Sequence, residues 1–123
     1  MPKRQWFWWA IVSLVIGCGP DPILLRPGFD TPAQHLANGK VLLEQEKWRD
    51  AVREFGRASE LDPFYTEAYV GLAIALGRQG DFHTAAQVMD QARQTAMSPE
   101  QRDMVAKGEA QLHQMIIDQG FFK

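Results

Sequence analysis

Residues 32–65 read PAQHLANGKVLLEQEKWRDAVREFGRASELDPFY, and residues 66–99 read TEAYVGLAIALGRQGDFHTAAQVMDQARQTAMSP. Set one above the other, the two stretches repeat the same chemistry at a spacing of 34 residues. Gly39 falls on Ala73, Leu42 on Leu76, Trp48 on Phe82, Ala51 on Ala85, Phe55 on Met89 and Ala58 on Ala92. The small residues let antiparallel helices approach closely. The large apolar ones fill the space between them, and Trp48 and Phe82 close the turns. One such helix pair cannot bury its apolar face alone, so pairs stack and the ends of the stack need caps.

This ordered pattern resembles the tetratricopeptide repeat. The second copy carries the resemblance on Tyr69, Leu72, Ala73, Leu76, Gly80-Asp81-Phe82, Ala85, Met89 and Ala92, the first on Gly39, Leu42, Trp48, Ala51, Phe55, Ala58 and Leu61-Asp62-Pro63. The first copy departs from it at His35, Asn38 and the turn, where Glu46-Lys47 replace Gly-Asp; the second departs at Met97, with Pro99 two residues late. The resemblance implies an all-α fold, a short right-handed solenoid of two helix-turn-helix repeats (32–65 and 66–99). A C-terminal capping helix and tail follow over 100–123. Ser98-Pro99-Glu100-Gln101 forms an N-cap with proline at the first helical position and glutamine at the capping-box position. Met104, Val105, Leu112, Met115 and Ile116 follow at helical spacing, and Gly120 suits a helix stop. Gly108 falls 35 residues after Ala73, as the first helix of a vestigial third repeat would place it. Either five helices suffice for stability, or a partner or second copy completes the stack. Phe121 and Phe122 either fold back onto the capping helix or extend to another subunit.

Ahead of the repeats, Lys3 and Arg4 precede an uncharged run from Trp6 to Gly17. As a helix that run reaches about 18 Å, well short of the ~30 Å hydrocarbon core. A cationic start, a short apolar stretch and small residues behind it describe a secretory signal over residues 1–17. Val15-Ile16-Gly17-Cys18 resembles the lipobox of bacterial lipoproteins. That resemblance implies cleavage before Cys18, a diacylglyceryl group on its thiol, and a fatty acid such as palmitate on its new amine. One chain alone anchors only marginally, at about 0.8 kcal/mol per buried CH₂, so two or three are needed. Gly19 is not the aspartate that marks inner-membrane retention, so an outer-membrane address facing the periplasm is favoured. Three other readings stay open: an uncleaved N-terminal anchor, a signal cut elsewhere that leaves a free thiol, and an accidental match. Residues 18–31, rich in proline and glycine, form a tether.

Composition closes off several classes of function. A charged fraction of 23% and a hydrophobic fraction of 46% fit neither wholesale disorder nor a polytopic membrane protein. Losing Lys3 and Arg4 with the signal leaves 11 cations against 15 anions, so no basic field argues for nucleic acid. The single cysteine excludes an internal disulfide and a Cys-rich zinc site. His35, His83 and His113 stand far apart, and no HExxH, GxSxG or phosphate loop is present, so no enzyme, metal or cofactor is expected beyond the lipid on Cys18. His35 takes a partly buried packing position, and the other two histidines are solvated. Gly71 and Gly77 either admit another surface or merely weaken their helix.

In the tetratricopeptide family partners lie in the groove lined by the first helix of each repeat. Carried over, that groove contains Leu36, Ala37, Lys40 and Leu43 from the first copy. The second copy gives Glu67, Val70, Gly71, Ile74 and Arg78, and the capping helix adds Val105, Glu109 and Leu112. Leu36 and Val70 stand where a carboxylate-clamping lysine would be, so recognition of a partner's terminal carboxylate is not expected. An apolar groove edged with charge suits an amphipathic helix or an extended peptide, unless the capping helix covers it. The expected partners are a protein or peptide in that groove and a membrane through the lipid. Self-association through the open repeat ends is a further reading, and so is a structural subunit docked by a retained anchor.

Overall fold

A computed structural model describes residues 30–120 of the 123. The proposed signal, Cys18, most of the tether, and Phe121 and Phe122 lie outside the described residues. Within them the chain forms five helices: α1 Pro32–Glu44, α2 Trp48–Leu61, α3 Thr66–Arg78, α4 Phe82–Thr95 and α5 Pro99–Asp118. No strand occurs among the described residues.

The helix boundaries follow from local chemistry. Thr31 caps α1 by accepting the Gln34 N–H at 3.2 Å, and Asp81 does the same for α4 with Thr84 at 3.2 Å. The capping box at α5 is complete. The Ser98 hydroxyl accepts the Gln101 backbone N–H at 3.1 Å, while the Gln101 side-chain Oε1 accepts the Ser98 N–H at 3.1 Å. Each odd-numbered helix stops on a glutamine followed by a residue of positive φ: Glu46 at 59°, Gly80 at 87° and Gly120 at 79°.

Connections of three or four residues make consecutive helices antiparallel neighbours. The helices form two layers. In one, α3 packs between α1 and α5; in the other lie α2 and α4, whose backbones do not approach each other closely. Residues 30–31, 62–65 and 96–98 therefore share one end, called here the entry end. Residues 45–47, 79–81 and 119–120 share the opposite, turn end.

The core is built as the repeat pattern requires. Ala51, Ala58, Ala85 and Ala92 are fully buried at the helix crossings. Phe55, 1% exposed, fills the space between α1 and α3 with its ring facing Gly39 on one helix and Gly71 on the other. Met89, Val105, Leu112 and Met115 fill the corresponding space between α3, α4 and α5, and Leu43, Val52 and Leu72 join the two halves. The one buried polar side chain among the described residues, Thr66, shares a 2.9 Å hydrogen bond with the Thr95 hydroxyl. Five helices thus form a short helical solenoid with a continuous core.

Candidate interaction face

The residues that the sequence assigns to a groove divide into two sets. Leu36, Ile74, Val105 and Leu112 lie in the core instead, between 3% and 6% exposed. Leu36 packs against α2 and α3 with Phe55 and Ala58, while Ile74, Val105 and Leu112 are buried by the close approach of α5 to α3. A Cβ at Gly77 would stand 2.7 Å from Leu112 Cδ1, and one at Gly108 would stand 2.8 Å from Val70 Cγ1. With no side chain at either position the two helices interdigitate, and Leu112, Met115 and Val70 seal what would have been the groove floor. Leu43 is half-buried for a different reason, since it bridges both halves of the core.

What remains accessible on the helices of the α1/α3/α5 layer mixes charged side chains with small, polar and apolar ones, Val41 and Ile117 among them. Lys40 is exposed and ion-paired to Glu67, tying α1 to the start of α3. Glu109 on α5 takes the Arg93 guanidinium from α4. Arg78 lies over the Trp48 ring, 5.5 Å from its centroid, in a cation–π contact. Ala37 is exposed beside Lys40. Trp48, Gly77, Arg78, Met115, Asp118 and Gln119 line a cleft of about 230 Å³ at the turn end. It combines an indole face and a thioether with one cation and one carboxylate.

A second polar constellation sits at the entry end. His35 is held from both sides, its Nδ1 2.8 Å from Glu54 and its Nε2 2.7 Å from Asp30. Arg57 donates to both Asp30 oxygens, at 2.7 and 3.3 Å, and Asn38 donates to Glu54 at 3.2 Å. Partial burial pulls the His35 pKa down, but hydrogen bonds to Asp30 and Glu54 outweigh it and leave it raised. The Arg57 and His35 hydrogen bonds lower the Asp30 pKa to about 2. With a carboxylate at each ring nitrogen, His35 serves both as a donor when protonated. The group clasps the segment that enters α1 onto α1 and α2. The sequence pattern assigns His35 to packing and does not single out Glu54. The missed signal was that His35 and Asn38, both departures from the repeat, are three apart and so share one side of α1.

His83 and His113 are exposed. Among the described residues no group of three or more His, Cys, Asp or Glu side chains is arranged to hold a metal ion.

A family model described as tetratricopeptide repeat matches residues 36–101, just over half of the chain. That stretch runs from Leu36 in α1 to the first turn of α5. No curated protein and no solved structure matches.

Proposed function

The chain belongs to the tetratricopeptide-repeat family, and from that premise we propose that it is a membrane-anchored interaction module, an adaptor or accessory subunit of a cell-envelope complex. Its repeats take a protein partner on the α1/α3/α5 layer. A lipid on Cys18 holds it at the membrane, on the periplasmic side of the outer membrane. The observation that carries the anchored reading is Val15-Ile16-Gly17-Cys18, set behind two cations and an apolar run too short to span a bilayer.

Topology supports the same arrangement. The chain enters the domain at Asp30, on the entry end, where His35 and Arg57 clasp it. Phe64 and Met97, 78% and 82% exposed, lie in the two loops of that end, toward the side from which the lipid tether comes. The Trp48–Arg78 cleft opens at the opposite end, away from the anchor. With the apolar floor sealed, the face fits an extended peptide or a helix bearing charges of both signs, matched to Lys40, Glu67 and Arg78.

The anchor is tested by metabolic labelling of the full chain with an alkynyl fatty acid. Wild type takes up label and Cys18→Ser does not. Equal labelling and migration of the two would refute lipidation at Cys18 and return the chain to a subunit docked by a retained N-terminal segment.

A further inference from the structure

Among the described residues, the large apolar side chains that stand furthest into solvent are Phe64 and Met97. They come from the two different loops of the entry end, 62–65 and 96–98. The structure ties those loops together, because Thr66 at the start of α3 shares its hydrogen bond with Thr95 at the end of α4. Each threonine stands two residues from one of the exposed side chains. Pro63, and Pro99 at the start of α5, are exposed at the same end.

The two side chains are free while their backbones are fixed. The Phe64 N–H donates to Asp62 Oδ1 at 3.0 Å, and the Phe64 carbonyl accepts the Thr66 N–H at 3.0 Å. The Met97 N–H donates to Gln101 Oε1 at 2.8 Å, and the Met97 carbonyl accepts from the Arg102 guanidinium at 3.3 Å. A backbone polar group carried unpaired into an apolar medium is costly, and neither residue brings one. The charges beside them are of both signs, with Asp62 and Glu100 set against Arg102. Nothing in that balance favours an anionic surface over a neutral one.

The chain enters the domain at this same end. Asp30 is clasped by His35 and Arg57, and twelve residues, 18–29, precede it. Fully extended they span no more than about 40 Å. The turn end lies a helix farther off, about 20 Å for the 13 residues of α1. With Cys18 in the bilayer the entry end is held within reach of it, and a contact too weak to form from solution becomes intramolecular.

We propose that the entry end lies on the lipid surface, with Phe64 and Met97 inserted into a neutral bilayer. The inference rests on the anchored reading and adds the orientation of the domain to it. The helices point away from the membrane, and the Trp48–Arg78 cleft faces away from it. Apolar groups at such a surface sit about 5–10 Å into the boundary between headgroups and acyl chains, within range of a quencher carried on the acyl chain.

The test uses the full chain reconstituted into vesicles of phosphatidylcholine and phosphatidylethanolamine and recovered by flotation. An environment-sensitive fluorescent amino acid replaces Met97 in one sample and the exposed Gln45, at the turn end, in another. Lipids brominated on their acyl chains quench the reporter at Met97 and leave the one at Gln45 unchanged. Phe64→Ser in the Met97 reporter chain weakens the quenching without reducing flotation. Flotation with no quenching at Met97, or equal quenching at both positions, overturns the proposal. A blue shift at Met97 without quenching also overturns it, because a protein or a second copy then covers the patch. A chain that does not float overturns it as well. The two readings fail separately. If Cys18→Ser takes up no less fatty acid than wild type while Met97 stays quenched, lipidation falls and the docked orientation stands. If Cys18 is labelled and the chain floats with Met97 unquenched, the anchor stands and the docking falls.

Discussion

Replacing Gly71 by alanine and, separately, Gly56 by alanine asks whether close helix approach holds this stack together. Both glycines lie inside helices, so each replacement gains about 0.8–1.0 kcal/mol of helix propensity. Their surroundings differ. Nothing lies within 4 Å of a Cβ at Gly56, whereas one at Gly71 would stand 2.6, 2.8 and 2.8 Å from three Phe55 ring atoms. The ring cannot retreat, because it is 1% exposed and a Cβ at Gly39 would meet it at 2.7 Å from the other helix. Overpacking of this kind costs about 1–3 kcal/mol. Gly56→Ala therefore stabilises by about 1 kcal/mol, and Gly71→Ala, after its propensity gain, falls between neutral and about 2 kcal/mol destabilising. At about 4–8 °C per kcal/mol for a domain of this size, that gap of about 1–3 kcal/mol separates the two melting temperatures by at least about 4 °C. Thermal and urea unfolding followed by far-UV circular dichroism reads the difference. A Phe55→Leu change should cost less in the Gly71→Ala background than alone, since it makes room for the added methyl. Equal stability of the two alanine variants would refute the argument that Gly71 exists to seat Phe55.

Three further outcomes follow from individual contacts. Glu46 holds a left-handed backbone at φ 59°, a conformation costing an L-residue about 1–2 kcal/mol, so Glu46→Gly raises stability by up to about 1 kcal/mol in urea titration. A loss there would contradict the strain. Ser98→Ala removes one half of a complete capping box and costs about 1 kcal/mol, with faster amide exchange in the first turn of α5; unchanged exchange would count against the cap. The entry clasp also makes stability depend on pH. Asp30, lowered from 3.8 to about 2, contributes stability that is present above its unfolded pKa and lost as pH falls toward 2. His35, raised from 6.5, contributes stability that is full below its unfolded pKa and lost as pH rises through its higher folded value. Stability contributed by the clasp is therefore greatest between about pH 4 and 6.5. His35→Gln should flatten the alkaline side of the profile, and an unchanged slope would remove His35 as its source.

The repeat was legible because its positions encode packing that needs no knowledge of neighbours. The alanines fell at crossings, Phe55 and Met89 filled the gaps, and Ser98-Pro99-Glu100-Gln101 began α5 within a residue of the expected boundary. The interaction face was less legible, since its exposure depends on how deeply the last helix sinks. Gly77 and Gly108 were visible as small residues. Only the three-dimensional structure pairs them with Leu112 and Val70, and that pairing takes Ile74, Val105 and Leu112 out of any groove. A charge at Ile74 would accordingly unfold the domain rather than report on partner binding. The clasp was hidden in another way. His35 and Asn38 looked like losses of consensus, and they prove to compensate one another through Glu54, which lies on the adjacent helix.

The central claim is that the α1/α3/α5 layer receives a protein partner while the opposite layer does not. Site-specific photocrosslinking of the full chain in its native membranes tests it directly, with the photoreactive residue placed at Lys40 or Arg78 on one layer and at Gln87 or Gln91 on the other. The account predicts one discrete protein adduct from Lys40 and Arg78 and none from Gln87 or Gln91. Adducts arising only from Gln87 and Gln91, or equally from both layers, would contradict it.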